Sequence, residues 1–182
     1  MFPSVDCVEL VQHAKLLGVI LQDNFSLEMH INYVLSLCSQ RIYLMKRLRD
    51  QGLDQRHLEL VFQAIVITRI LYAIPAWGSF LSKELTGRIN AFLKRSHRYG
   101  FVARIEDVTN MFDKASRDLF AKVQGCKHCL HYILPPHTQY NHELRERGHT
   151  FVLPHCVYNL FRFSFVNIMF VVQIFLRAAY AT

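Results

Sequence analysis

Acidic side chains are scarce in this chain: 14 Asp plus Glu stand against 21 Lys plus Arg. The shortage leaves a net charge of +7 and a sequence pI near 9.3. That balance makes a polyanion a better partner than an acidic protein. Catalytic signatures are missing as well. There is no Gly-rich phosphate loop, no Gly-x-Ser-x-Gly and no His-Glu-x-x-His. The seven aspartates (6, 23, 50, 54, 107, 113 and 118) never occur as an adjacent pair. Residues Met1–Asp6 carry no basic stretch and no apolar run, so no secretory signal is expected. The five cysteines (7, 38, 126, 129 and 156) are odd in number and scattered. A reducing, intracellular compartment with mostly free thiols follows. Phe163–Leu176 has fourteen residues without a charge, short of the ~20 a membrane helix needs. Ser164, Asn167 and Gln173 interrupt it, so no membrane partner is expected.

What is present is enough to fold. Hydrophobic residues make up 52% of 182 and charged ones 19%, which excludes general disorder and suits one domain, or one with an appendage. Two apolar runs, Cys7–Val11 and Leu16–Leu21, split by Gln12-His13-Ala14-Lys15, predict a β-hairpin. The period then changes from two to about 3.6. A first helix is predicted from Ser26 to Gly52, with Leu27, Ile31, Val34, Leu35, Cys38, Ile42, Met45 and Leu48 inward. A second starts at Asp54 and ends before Pro75. It is apolar on most sides through Ala64–Ile74, which predicts the most buried element. A third runs from Ser82 to about Tyr99, closed by Gly100, and a fourth from Asp107 to Gln124, stopped by Gly125. Residues 125–162 hold three of the Cys, three of the Pro and six of the His (128, 131, 137, 142, 149 and 155), and predict irregular structure. The expected fold is mainly α: a helical bundle with a short N-terminal hairpin and an irregular C-terminal tail.

Basic residues concentrate on two of these helices. Arg88, Lys94, Arg95, Arg98 and Arg104 lie between Leu85 and Ile105 with no acid among them. Helical spacing brings Arg88, Arg95 and Arg98 to one side, Lys94 widens that stripe, and His97 falls away from it. Arg41, Lys46, Arg47 and Arg49 lie on the first helix, and two basic faces can form a groove for backbone phosphates. The competing expectation is a solvated helix face. Cys126 and Cys129, spaced as Cys-x-x-Cys, with His149 and His155 offer the donors of a zinc-stabilised interaction module. Against this, nineteen residues separate the two halves. Asp113 and Asp118 share a helix with Lys114 and Arg117, which suggests surface ion pairs. Trp77, at a helix exit, is expected to pack in the core rather than stack on a base. A membrane-associated helical protein anchored by Phe163–Leu176 is the third class open to this composition.

Taken in order, several segments resemble the C-terminal part of a LINE-type (non-LTR) retrotransposon reverse transcriptase. Lys15-Leu16-Leu17-Gly18-Val19-Ile20-Leu21, Phe25-Ser26-Leu27 and His30-Ile31 resemble the stretch that ends the polymerase palm. Arg41 through Leu48, Leu53, Leu58 and Tyr72…Trp77-Gly78 resemble the thumb helices. His128…Leu130-His131…Ile133-Leu134-Pro135, Leu144-Arg145-Glu146-Arg147-Gly148-His149, Leu153-Pro154 and Arg162…Ser164-Phe165 resemble the tail of one group of these elements. The likeness covers roughly 8–170, and Val171–Thr182 stand outside it.

The resemblance implies a palm-end hairpin at 1–25, a thumb-like bundle at 26–104 and a post-thumb tail at 105–182. The thumb would hold an RNA–DNA or DNA duplex without sequence preference, through Arg41, Lys46, Arg47, Arg88, Lys94, Arg95 and Arg98. Leu17 and Gly18 would lie near the primer end, where glycine permits close backbone approach. The family's metal-binding aromatic-x-Asp-Asp turn lies upstream of the Leu-Gly strand. Only fourteen residues precede Lys15 here, and no Asp-Asp exists. The resemblance therefore implies a non-catalytic portion that holds no Mg²⁺ itself, works with separate fingers and palm, and resides in a nuclear or cytoplasmic ribonucleoprotein.

Overall fold

The computed structural model describes residues 11–136 together with Phe151, Val152, His155, Ser164, Phe165, Asn167 and Met169. These residues are mainly helical, with one antiparallel hairpin. They belong to two compact units: 11–73 with 80–111, and 74–79 with the residues from Phe112 onward.

The first unit opens with β1 (His13–Leu16) and β2 (Val19–Gln22), paired in the register His13 with Gln22 and Leu16 with Val19. This differs from the sequence expectation. The polar segment read as the connection forms most of β1, and the turn is Leu17-Gly18. Both turn residues have left-handed backbone, with φ of 46° and 87°, as a two-residue primed turn demands. Every position of β1 is exposed, so the strand could be polar along its whole length. Cys7 to Leu10, the greater part of the expected first strand, lie outside the described residues.

Helix α1 (Glu28–Asp50) is the hub of this unit and touches β2, the second-helix segments and the helix Lys83–Arg98. It buries His30, Ile31, Val34, Cys38, Ile42 and Met45, the i, i+3, i+4 stripe read from the sequence. The cap position is Leu27 rather than Ser26, whose hydroxyl accepts from the Glu28 N–H one step further on.

The expected second helix is not one helix. α2 (Gln55–Phe62) passes into a π-helical segment, Gln63–Ile67, then into α3 (Thr68–Leu71). The chain breaks at Tyr72-Ala73, where Ala73 has φ 53°. Pro75 lies inside the next short helix, α4 (Ile74–Trp77), because a first helical turn needs no N–H from that position. Leu58, Phe62, Val66, Ile67 and Ile70 are buried, but Leu60, Ala64 and Thr68 face solvent. The element is therefore one-sided, not buried all round.

Helix α5 (Lys83–Arg98) starts at Ser82, whose Oγ accepts the Leu85 N–H at 3.2 Å. It buries Leu85, Ile89, Phe92 and Leu93. Gly100 follows with φ 76°, the conformation that lets glycine end a helix cheaply. Helix α6 (Val108–Val123) begins at Asp107. The Asp107 carboxylate accepts the Thr109 N–H at 2.8 Å and an Asn90 side-chain N–H at 2.6 Å. These bonds, the Thr109 N–H foremost, hold its pKa below the ordinary carboxylate value. Asp107→Ala is expected to cost about 1 kcal/mol of stability, while Asp107→Asn, which keeps an acceptor, costs a few tenths at most. Urea titration of both variants checks this.

The second unit contains α4, the part of α6 from Phe112 and the short 3₁₀ turn His131–Ile133. Trp77 is 1% exposed, as expected of a packing tryptophan. Phe120 and Met169 form a small core with Leu134, Phe151 and Phe165 against it. A Cβ at Gly78 would overlap the Phe112 ring, so glycine here permits close packing.

Candidate nucleic-acid interface

Helices α1 and α5 run in the same direction within the first unit. Arg88 donates to the Asn32 side chain near their starts. Near their ends, Arg49 donates to the Tyr99 carbonyl at 2.7 Å, and the Lys46 ammonium lies 4.3 Å from the centre of the Tyr99 ring. The C-terminal ends of both helices therefore meet. Arg47, Arg49, Arg95, His97 and Arg98 collect there, in the last turns, and Lys46 joins them through the Tyr99 ring. Their charges offset the negative ends of two helix dipoles, which is one structural reason to place them there. Five Lys and Arg stand in this group, and the acid beside them in the chain is Asp50.

The start of α2 adjoins the same end. Gln55 donates to the Gly100 carbonyl at 2.7 Å, and Glu59 accepts the Ala103 N–H at 3.3 Å. Arg56 and Arg104, both exposed, add to the basic character of these segments. Arg47, Arg95 and Arg98 are exposed. Arg95 lies 5.7 Å from the Phe92 ring and Arg49 5.2 Å from the Phe101 ring, contacts that hold guanidinium groups against the surface rather than bury them.

The seven basic residues singled out from the sequence thus divide. Lys46, Arg47, Arg95 and Arg98 share the common helix end. Lys94 is exposed on α5 and helps to depress the Asp107 pKa, so it faces a carboxylate. Arg88 is half-buried and engaged with Asn32. Arg41 is half-buried and donates to the Ile65 carbonyl in the π-helical segment. On α1, Arg41 and Lys46 are roughly 140° apart at about 100° per residue, so no single face of this helix is basic. Arg49, which makes the tightest link between the two helix ends, lay outside the seven. Its position just before the stop at Gly52 was the available signal.

A second arrangement lies on the other flank of α1. Arg41, Leu44, Thr68, Arg69 and Tyr72, over a floor of Ala64 and Ile65, line a cleft of about 460 Å³. Thr68 donates to the Ala64 carbonyl and Arg41 to the next one. Side chains thus insert where the helical ladder has changed to π, a common accompaniment of such segments. Arg69 lies 5.7 Å from the Tyr33 ring, and Lys15 lies 5.1 Å from the same ring. Two titratable groups on α1 near the cleft, Cys38 and His30, supply no negative charge at neutral pH. Burial pushes the Cys38 thiol up to about 11, against the pull of Arg41 and Arg69. Burial, then Arg69, lowers His30 below the ordinary imidazole value. The His30 Nδ1 accepts the Ile20 N–H at 3.3 Å, tying β2 to α1.

Leu17, at the hairpin tip, is 84% exposed, and its carbonyl accepts the Tyr72 hydroxyl at 2.9 Å. Gly18 lies under the Tyr72 ring, which a Cβ there would meet at 3.2 Å. The glycine therefore serves an approach within the chain. Of the zinc donors, Cys126 and Cys129 are exposed thiols and His149 lies outside the described residues. Among the described residues no three His, Cys, Asp or Glu side chains gather to hold a metal ion. Gln55–Phe80 is long and apolar enough to cross a membrane by length and composition, and Phe62, Val66, Ile67 and Ile70 within it are buried. Most of Phe163–Leu176 lies outside the described residues.

Compared with protein-family models, with curated proteins and with solved structures, the chain finds no match.

Proposed function

We propose that this chain is the thumb-type, non-catalytic portion of a LINE-type reverse transcriptase and holds the template–primer duplex by its backbone phosphates. The observation that supports this is the shared basic end of two parallel helices, where Lys46, Arg47, Arg95 and Arg98 come together. Phosphates are bound by point charges and guanidinium forks without reading sequence. The order of segments from Lys15-Leu16-Leu17-Gly18 through Tyr72…Trp77-Gly78 supports the polymerase context. In this proposal, the metal-binding carboxylates and the fingers are supplied by a separate palm portion, within an intracellular ribonucleoprotein.

The test is binding to a labelled RNA–DNA hybrid as salt is varied. Log affinity should fall linearly with log salt, at about −0.9 per phosphate neutralised. Four contacts therefore give a slope of roughly −3 to −4. Scrambling the duplex sequence should leave the affinity unchanged. A flat salt response, or no binding at low salt, would remove the proposal.

A further inference from the structure

We propose that the cleft between α1 and the π-helical segment binds a phosphate monoester, its phosphoryl group held by Arg41 and Arg69. Two guanidinium groups line one cleft, no carboxylate lines it, and neither arginine has an ion-pair partner among the described residues. Half-buried charges are ordinarily paired, because removing them from water without compensation is costly. The Arg69 Nε is buried and has no hydrogen-bond partner among the described residues. Arg41 gives one N–H to Ile65, and Arg69 gives one to the Tyr33 hydroxyl at 3.5 Å. Each guanidinium has five N–H groups, so terminal N–H groups of both remain for a ligand. Cys38 and His30, the titratable neighbours on α1, are neutral at pH 7 and offer no counter-charge.

The chemistry of the lining narrows the ligand. The Thr68 and Tyr72 hydroxyls already donate within the chain, so the guanidinium forks are the donors to an anion. Two forks match a tetrahedral dianion better than a single planar carboxylate. Leu44, Ala64 and Ile65 supply an apolar wall for the organic body of an ester. The volume of about 460 Å³ lies within the ~300–1,000 Å³ usual for small-molecule sites. The cleft is a different surface from the duplex-binding end, and a different probe reads it.

Titration calorimetry of the full chain with phenyl phosphate and with inorganic phosphate tests it. Saturable one-to-one binding is expected, tighter for phenyl phosphate. Leu44 is 54% exposed, so L44E should fold while placing a carboxylate beside the two arginines. It should weaken phenyl phosphate by about tenfold or more, the worth of a lost charged hydrogen bond. Tyr43 is 64% exposed and does not line the cleft, so Y43E, with the same charge change, should bind as the parent does. Equal weakening by both variants, undiminished binding in L44E, or non-saturable binding would overturn the proposal. Phenyl phosphate binding no tighter than inorganic phosphate would overturn its ester part.

Discussion

Phe62→Ala is expected to remove about 3–5 kcal/mol of stability. Small domains hold about 5–15 kcal/mol in total, so the variant should lose a large share of its stability. Phe62 is fully buried. It closes α2 where the helix changes to π geometry, and α1 packs against both segments. Truncation deletes a large apolar surface and leaves a cavity that two packed helices cannot readily close. Phe62→Leu keeps most of the volume and should cost much less. Urea unfolding followed by helical circular dichroism checks the pair. The midpoint should drop sharply for Ala and modestly for Leu, with little change in slope. An unchanged midpoint for Phe62→Ala would contradict the packing described.

The second large effect is electrostatic. Replacing Lys46, Arg47, Arg95 and Arg98 together by glutamine should lower hybrid-duplex affinity by roughly 10³–10⁴-fold near 0.1 M salt, since a salt slope of about 0.9 per phosphate contact acts over the one decade below 1 M. The salt slope should flatten in step. Arg47, Arg95 and Arg98 are exposed and Lys46 only half-buried, so folding should survive. The loss of the Lys46–Tyr99 contact costs about 1 kcal/mol at most. A variant that binds as tightly as the parent, with the same slope, would place the duplex elsewhere or nowhere on this chain.

How far the sequence foretold this depends on whether each signal is local. Ser82, Asp107 and Gly100 act on backbone groups a few residues away, so the ends of α5 and the start of α6 were legible. The inward stripe of α1 was legible for the same reason, since one helix has one phase. The hairpin turn was not. Leu17-Gly18 sits within an apolar run, and the wholly exposed β1 resembled a polar connection. Nothing in Gln63–Ile67 announces π geometry, because packing against α1 accompanies it rather than a residue type. The charges of the candidate interface were visible, but their grouping was not. It depends on the relative phase and direction of two helices far apart in sequence. Arg41 shows the difference: its charge was plain, while its engagement with Ile65 required the fold. The cleft had only a faint trace, two arginines within otherwise apolar helical stretches.

The π-helical segment also sets a phase. Four steps of ordinary helix advance a side chain by about 40° beyond a full turn, and the wider coil takes up part of that advance. Phe62, Val66 and Ile70, spaced by four, thus stay buried together. Keeping all five residues of Gln63–Ile67 but winding them as ordinary helix would turn everything after them by roughly a quarter turn, because the wider coil fits one more residue into about the same rotation. Ile70 would leave the core, Arg69 would leave the cleft, and the Tyr72 hydroxyl would no longer reach the hairpin tip. One wide turn therefore acts as a rotational spacer: it absorbs one residue, and the placement of everything after it depends on that turn staying wide.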